Sequence, residues 1–372
     1  GARVCGNARL AGRRDHLINF DFLREEPELG VCHHQRRFVI GYSVIVTNVQ
    51  CGAGCGNVRP TRWNGQGGTS PMRQLVEELK QAQIGLVRQH EPLAEHTTWK
   101  IGGPADLFLV PETADGLSAA ITLLNRHGVP WCVLGRGSNT LVTDKGVRGA
   151  VIKLGSGFDY VRFEGHTAVA GAAYSFIKLS VMAGKAGLTG LEYAGGIPGT
   201  VGGAVYMNAG AHGSDVSRIF QSADIVWEDG TKSTLEAKDM AFGYRHSILQ
   251  ERRGIVTEAR FRLAPGDRKE IAAAMATYKD RRLRTQPLQM ACAGSVFRNP
   301  PGDHAARLIE AAGLKGTRIG GAEVSTLHAN FIINHGGATA EDVLALMRHI
   351  QRTVEEKFGV RLVPEVLLIG ER

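Results

Sequence analysis

The sequence predicts a fold of the α+β class, and three observations indicate it. Residues 73–83 and 268–283 have helical character. Residues 219–263 alternate strand-like segments with turns. Seven of the residues in 193–213 are glycine, which leaves a long stretch of backbone open to close approach. A chain of 372 residues is long enough for two or three domains, at ~100–200 residues per domain.

The first predicted helix, residues 73–83, places its apolar side chains on one face. The segment before it, residues 1–71, differs in composition: it has nine arginines, no lysine and no sustained helical or strand period. We expect the native protein to begin at or near Met72, with the upstream residues an over-extended reading frame. The alternative is an arginine-rich extension that is disordered until it binds.

Two glycine-rich loops follow. Residues 134–142, Leu-Gly-Arg-Gly-Ser-Asn-Thr-Leu-Val, come after an apolar run and end in small side chains that can hydrogen-bond phosphate. Residues 193–213 thread apolar residues between glycines, and Pro198 fixes one φ. Because glycine lets backbone N–H groups approach a ligand, such loops can wrap the pyrophosphate of a dinucleotide. The two loops together predict one large bound cofactor.

Neither loop matches a common nucleotide-binding motif. The P-loop spacing is absent, and Thr140 stands where the dinucleotide fingerprint needs a third glycine. Tight turns between strands are therefore the alternative explanation of the glycines.

Beyond the second loop the sequence predicts a hairpin and a further strand. Residues 219–227 and 232–235 are strand-like, and the Asp229-Gly230 dipeptide between them is a hairpin signal. Residues 255–263 form the next strand-like run.

Composition limits the class of protein. No run of ~18 apolar residues and no signal peptide is visible, so we expect a cytoplasmic protein without a membrane span. The formal net charge is +8, but the cations are scattered along the chain, which argues against nucleic acid as a partner. A basic pocket for an anionic small molecule and a solvated basic surface both remain open as explanations of the net charge.

The cysteines give no metal-binding pattern. The spacing Cys51-x-x-x-Cys55 lacks a matching second pair, so no metal site is predicted.

Reactive side chains gather near the end of the chain. Ser295 follows Gly294 in residues 291–302, which end in a turn-forming Asn-Pro-Pro-Gly sequence. The nucleophile pattern Gly-x-Ser-x-Gly is missing. Taken singly, Ser295 is explained by an ordinary turn, and Arg245 and Glu365 by surface positions.

Six motifs taken together resemble the UDP-N-acetylenolpyruvoylglucosamine reductase family in order and spacing, from about Met72 to the end of the chain. They are Trp99-Lys-Ile-Gly-Gly-Pro-Ala105, Gly135-Arg-Gly-Ser-Asn139, Ala194-Gly-Gly-Ile-Pro-Gly-Thr-Val-Gly-Gly203, Tyr244-Arg-x-Ser247, Gly294-Ser-Val-Phe-Arg-Asn-Pro300 and Pro364-Glu-Val366. Nothing in residues 1–71 belongs to the resemblance.

The resemblance implies an FAD-binding fold of the vanillyl-alcohol-oxidase (PCMH) type. Two FAD-binding subdomains would span residues 72–157 and 158–264, and an α/β substrate-binding domain with a C-terminal strand would span residues 265–372. Residues 98–103 would lie near the cofactor. The implied cofactor-binding residues are Gly135, Arg136, Gly137, Ser138, Asn139, Gly195, Gly196, Gly199, Thr200, Gly202 and Gly203.

The resemblance also implies a reaction. NADPH would reduce the flavin, and hydride would then pass from flavin N5 to C3 of UDP-N-acetylglucosamine enolpyruvate. Arg245 would stabilise the negative charge that spreads into the substrate carboxylate, since it can fork onto carboxylate oxygens. Glu365 would complete the polar network there, and Ser295 would donate the proton to C2.

Five further residues are implied in substrate binding: Arg284, Arg298 and Lys315 at the substrate diphosphate, Asn299 at the nucleotide, and Tyr244 beside Arg245. Surface salt bridges are the alternative explanation of the three cations, and a structural role is the alternative for Tyr244. The chain lacks a long tyrosine-bearing insertion, so it resembles the shorter form of the family. Two other functions stay open at this point: another FAD-dependent oxidase of the same fold, and a basic nucleic-acid-binding protein.

Overall fold

A computed structural model describes residues 71–371. Apart from Pro71, the predicted extension lies outside the described residues, so the expectation about its origin stays a prediction. The predicted boundaries between the three later domains also stay predictions.

The described residues contain seven α-helices. They are α1 (Pro71–Gln81), α2 (Ala114–Arg126), α3 (Phe176–Lys185), α4 (Val201–Met207), α5 (Arg268–Thr285), α6 (Ala305–Ala311) and α7 (Ala340–Phe358). The helices predicted over 73–83 and 268–283 are confirmed as α1 and α5. Helix α1 begins two residues earlier than predicted, at a proline, which is well suited to a first helical turn because it has no N–H to leave unpaired.

Short strands make up most of the remaining regular structure in residues 71–371. They are β1 (Gly85–Pro92), β2 (Pro104–Pro111), β3 (Trp131–Val133), β4 (Thr140–Val142), β5 (Val147–Ile152), β6 (Val161–Glu164), β7 (Thr167–Gly171), β8 (Leu188–Thr189), β9 (Gly210–Ala211), β10 (Ser214–Asp215), β11 (Phe220–Trp227), β12 (Lys232–Glu236), β13 (Gly254–Arg262), β14 (Ala264–Pro265), β15 (Ala291–Cys292), β16 (Arg318–Ile319), β17 (Ala322–Val324), β18 (Ile332–Asn334) and β19 (Leu367–Ile369). The three strands predicted between 219 and 263 are confirmed to within one residue as β11, β12 and β13.

The first sheet is mixed and has the order β1-β2-β5-β3. Strands β1 and β2 are antiparallel, whereas β5 runs parallel to both β2 and β3. Helices α1 and α2 cover one face, and Leu75, Leu79 and Leu117 are fully or almost fully buried beneath them. Apolar side chains on one stripe of each helix make this packing possible.

The second sheet is antiparallel and has the order β12-β11-β13-β7-β6. The predicted hairpin turn is confirmed: Gly230, with φ of +85°, lies between β11 and β12. Helix α4 packs on β13, and α5 packs against α3 and the turn at Glu192–Gly196. The helix that opens the predicted third domain therefore contacts the layer built around the second sheet.

The third sheet, β15-β18-β17-β16, is antiparallel and supports α7. Helix α7 begins with a capping box, in which Thr339 and Asp342 satisfy each other's backbone N–H groups, and ends at Gly359 with φ of +67°. The chain then returns to the first half of the protein, where β19 pairs in parallel with β4.

Trp99 ties the first part of the chain to the third sheet. Its side chain is fully buried in the core of residues 293–368. The indole Nε1 donates to the carbonyl of Ile332 at 2.8 Å, and Asn334 Nδ2 donates to the carbonyl of Trp99 at 3.0 Å. These two hydrogen bonds join the segment between β1 and β2 of the first sheet to β18 of the third sheet.

Replacing Trp99 with phenylalanine is expected to lower the free energy of unfolding by about 1–3 kcal/mol, because the buried carbonyl of Ile332 loses its donor while most of the ring packing remains. The shift in the urea unfolding midpoint measures the effect. An unchanged midpoint would show that the indole hydrogen bond contributes nothing net.

Candidate active site

A cleft of about 840 Å³ brings the predicted cofactor loops and catalytic side chains together. Its volume lies in the ~300–1,000 Å³ range of small-molecule and cofactor sites. Residues 135–139 and most of residues 196–203 line it, as do Arg245, Ser295 and Glu365. Segments far apart in the sequence therefore meet at one ligand-sized site.

The first loop, residues 135–139, presents bare backbone to the cleft between the ends of β3 and β4. None of its five backbone N–H groups donates to a protein acceptor within the described part of the chain. Gly137 has φ of +69°, and a Cβ there would lie 2.5 Å from the carbonyl oxygen of His96. Thr98 supports the loop from behind, because its N–H and Oγ1 both donate to the carbonyl of Gly137. Free amides in a row make an anion-binding concavity.

The second loop faces the first across the cleft. Ser138 Oγ donates to the carbonyl of Pro198 at 3.0 Å, which joins the two loops. Thr200 caps α4 and accepts from the N–H of Gly203. A Cβ on Gly135 would lie 3.0 Å from Thr200 Oγ1. Gly195 does not line the cleft. A Cβ at this position would lie 3.2 Å from Cε of Met275, so Gly195 faces α5.

The charge of the lining is strongly positive. Among the described residues that line the cleft, Glu365 carries the only carboxylate, whereas six side chains are cationic: Arg136, Arg148, Lys153, Arg245, Arg253 and Arg282. Backbone amides and cations around a large cleft fit the pyrophosphate of a dinucleotide cofactor. The cleft is therefore a basic pocket suited to an anionic ligand.

Arg282 was missed by the sequence analysis. Its Nε donates to Gln286 Oε1 at 2.8 Å, and no carboxylate lies within 4.0 Å of it in residues 71–371. Burial lowers the pKa of its guanidinium. A Cβ on Gly196 would lie 2.5 Å from Arg282 Cδ, so the side chain packs directly on the second loop. A half-buried cation that faces a cleft and has no carboxylate partner among the described residues indicates an anionic ligand.

Arg284, a predicted substrate residue two positions after Arg282 on α5, lies elsewhere. Two residues along a helix turn a side chain by about 200°, and Arg284 is exposed and pairs with Asp280 at 2.5 Å. The only signal that could have separated the two was the helical phase of α5, whose apolar residues are not gathered on one face and so do not define it.

Arg245 and Glu365 form an ion pair in the cleft. Arg245 Nε donates to Glu365 Oε1 at 2.8 Å, and its Nη2 donates to the carbonyl of Gly210 at 3.1 Å. Arg245 has φ of +55°, an uncommon value for a residue with a side chain, held by two hydrogen bonds between Gly243 and His246. Strain of this kind concentrates at functional sites.

Ser295 stands on a loop that is clamped by an asparagine. Asn330 is buried; its side chain accepts from the N–H of Phe297 at 3.0 Å and donates to the carbonyl of the same residue at 2.8 Å. Its carbonyl accepts from the N–H of Val296. The Ser295 hydroxyl has no hydrogen-bond partner within the described residues, so it is free to meet a ligand. The sequence analysis assigned no role to Asn330, although a polar residue in the apolar run 329–333 was a signal.

The other predicted substrate residues do not line the cleft. Tyr244 is exposed, with its ring 5.2 Å from Arg245 Cζ, and its hydroxyl accepts from the N–H of Asn299. Asn299 Oδ1 accepts from the first N–H of α6. Lys315 pairs with Glu310 at 2.7 Å. Arg298 lies beside Glu365 and is treated below. Their roles in substrate binding stay predictions.

Comparison with known proteins decides the family. The chain is 51% identical to UDP-N-acetylenolpyruvoylglucosamine reductase of Bacillus licheniformis over 302 residues, which cover 81% of this chain and 100% of that protein. The protein of the same name from Bacillus subtilis is 49% identical over 300 residues, covering 80% of this chain and 99% of its own length. The chain belongs to the UDP-N-acetylenolpyruvoylglucosamine reductase family.

Two domain matches agree with this family. Residues 286–369 match the C-terminal domain of UDP-N-acetylenolpyruvoylglucosamine reductase, and residues 105–236 match an FAD binding domain. The crystal structure of UDP-N-acetylenolpyruvylglucosamine reductase from Thermus caldophilus superposes with a TM-score of 0.66 at 37% identity, covering 76% of this chain and 98% of that one. The fold is thus the predicted PCMH-type FAD-binding fold, and FAD is the cofactor. Within the described residues, no helix is both long and apolar enough to cross a membrane.

Replacing Arg282 with glutamine is expected to weaken FAD binding by about tenfold or more, since a hydrogen bond to a charged group contributes ~1.5–3 kcal/mol. The dissociation constant of FAD from the apoprotein, followed by flavin fluorescence, measures it. Arg284→Gln is the matched control from the same helix. Equal affinities for the two variants would rule out a contact between Arg282 and the cofactor.

Proposed function

We propose that this protein is a cytoplasmic, NADPH-dependent flavoenzyme that reduces UDP-N-acetylglucosamine enolpyruvate to UDP-N-acetylmuramate for peptidoglycan synthesis. Membership of the reductase family and the FAD-binding fold support it. The observation that carries it is the arrangement of Arg245, Glu365 and the free hydroxyl of Ser295 in one cationic cleft. Reduction of an α,β-unsaturated carboxylate needs a cation for the carboxylate and a proton donor, and this arrangement offers both.

FAD, once reduced by NADPH, supplies a hydride to C3 of the enolpyruvyl group. The chain's own residues do the rest. Residues 135–139 would hold the cofactor pyrophosphate through their backbone N–H groups, which have no acceptor among the described residues. Residues 196–203 would form the other side of the site, where Thr200 caps α4. The loops are joined by the Ser138–Pro198 hydrogen bond, which fixes the spacing between them.

Arg245 stabilises the negative charge that develops at C2 and on the substrate carboxylate. The guanidinium is preorganised, because Glu365 and the carbonyl of Gly210 each accept one of its hydrogen bonds. A donor already aimed at the developing charge needs no rearrangement during the reaction. Its remaining N–H groups are available to the substrate carboxylate.

Ser295 donates a proton to C2. The hydroxyl is a weak acid, but the carbanion-like substrate is a strong base, so proton transfer requires position rather than acidity. The Asn330 clamp supplies that position by fixing the backbone on the carboxyl side of Ser295.

The test is an anaerobic two-step reaction. The purified flavoprotein is reduced with NADPH, mixed with UDP-N-acetylglucosamine enolpyruvate, and followed by flavin absorbance. Rapid reoxidation with formation of UDP-N-acetylmuramate supports the proposal. A flavin that stays reduced with the enolpyruvyl nucleotide but is reoxidised by oxygen would replace it with an oxidase of the same fold.

A further inference from the structure

Arg298 has a buried nitrogen that the fold leaves without a partner. Its Nε and the hydroxyl of Tyr193 are the two buried side-chain polar atoms in residues 71–371 that make no hydrogen bond. No carboxylate lies within 4.0 Å of the Arg298 guanidinium in the same residues. Leaving a buried donor of a charged group unpaired costs free energy. The position therefore calls for a role other than a local structural contact.

Backbone pairing places Arg298 beside Glu365. Phe297 and Pro364 form an antiparallel bridge. On either side of it, the N–H of Arg298 donates to Val363 at 2.8 Å and the N–H of Glu365 donates to Val296 at 2.7 Å. Residues two apart on paired strands share a face, so Arg298 and Glu365 are diagonal neighbours. Such neighbours are ~7–8 Å apart, within reach of a long side chain.

Glu365 is thus flanked by two guanidinium groups from different elements. Arg245 approaches from the turn at residues 243–246 and makes the direct ion pair, and Arg298 approaches from the paired segment and does not line the cleft. Burial raises the pKa of Glu365, and both arginines oppose that rise. A cation near the carboxylate favours the ionised form of Glu365. The attraction also restricts the rotation of the Glu365 side chain.

We propose that Arg298 is a positioning residue that holds the orientation and charge of Glu365 against Arg245, rather than a contact of the substrate diphosphate. This rests on the proposed function, because Glu365 acts there on the reacting carboxylate. Arg298 works through Glu365 and touches neither cofactor nor substrate.

The experiment separates the two half-reactions in Arg298→Gln, Arg298→Lys and the control Arg348→Gln, an exposed arginine of α7. Arg298→Gln is expected to leave flavin reduction by NADPH within about twofold and to slow reoxidation by the enolpyruvyl nucleotide about tenfold. The pH profile of reoxidation should move upward by about half a unit or more, because removing a neighbouring cation raises a carboxyl pKa. Arg298→Lys should recover most of the rate, and the control should match the wild type.

A double-mutant cycle with Glu365→Gln decides whether Arg298 acts through Glu365. Adding Arg298→Gln to Glu365→Gln should cause no further loss of rate and no further shift of the profile. The same tenfold loss in both backgrounds, or no shift of the profile in Arg298→Gln, would overturn the proposal. If Arg298→Gln does not fold, Arg298→Met, which also lacks the charge but keeps an unbranched apolar stem, replaces it in both backgrounds. Failure of the wild type itself to be reoxidised by this substrate would instead refute the proposed function.

Discussion

Replacing Ser295 with alanine is expected to slow reoxidation of the reduced flavin by UDP-N-acetylglucosamine enolpyruvate by roughly 10²–10⁴-fold, the usual contribution of a positioned general acid. The loss follows from geometry. The hydroxyl lies in the cleft on a loop held by Asn330, and it has no hydrogen-bond partner among residues 71–371. Removing one oxygen atom leaves that clamp intact, so the variant should fold normally. Stopped-flow flavin absorbance under anaerobic conditions measures the rate.

The reductive half-reaction is the internal control for this variant. Flavin reduction by NADPH needs no proton at C2 of the substrate, so Ser295→Ala should reduce its flavin at nearly the wild-type rate. Ser295→Cys keeps an acidic hydrogen at the same position and should recover part of the lost rate. If Ser295→Ala slowed both half-reactions equally, a role confined to proton donation would be wrong.

Arg245→Gln is expected to lower the rate of the same step by roughly 10²–10³-fold, comparable to the loss of a preorganised donor at a developing oxyanion. Arg245→Lys should be little better, because a lysine cannot contact Glu365, the carbonyl of Gly210 and the substrate carboxylate through one planar group. Neither substitution removes the strain at φ of +55°, since both new residues also carry a Cβ. The comparison therefore tests the charge and its geometry rather than the backbone.

Arg307→Gln is a suitable control for the arginine variants, because Arg307 is exposed on α6 and pairs only with Asp303 within the described residues. It should keep wild-type rates. A wild-type rate in Arg245→Gln would remove Arg245 from the mechanism and leave the substrate carboxylate to another cation of the cleft.

Much of the local structure follows from local sequence. Helix α1 follows from the spacing of Leu75, Val76 and Leu79, and the β11–β12 hairpin from the Asp229-Gly230 dipeptide, because period and turn chemistry act over a few residues. The glycine-rich loops could be identified in the sequence because closely spaced glycines indicate either a tight turn or a close approach of the backbone to a ligand. The order of the motifs sufficed to identify the family. The resemblance also gave the roles of Arg245, Ser295 and Glu365, which stay predictions.

Other features depend on contacts between distant parts of the chain. The cations that are scattered in the sequence converge in the cleft only because the two glycine loops, α5 and the turn at residues 243–246 pack together. Helical phase decides that Arg282 enters the cleft while Arg284 faces solvent. The apolar residues of α5 are spread around the helix, so the sequence does not show that phase in advance. Strand pairing around Phe297 and Pro364 brings Arg298 behind Glu365.

By itself, then, the sequence determined helices α1 and α5, strands β11 to β13, the positions of the two glycine-rich loops and the family, since these depend on neighbours along the chain and on motif order. Only the tertiary structure decided which cations share the cleft, what holds Ser295, and how Trp99 joins the third sheet to the first. The physical reason is that the electrostatic environment, burial and hydrogen-bond partners of a side chain depend on which residues lie near it in the folded protein. Residues as far apart as Trp99 and Ile332 become neighbours only when the chain has folded.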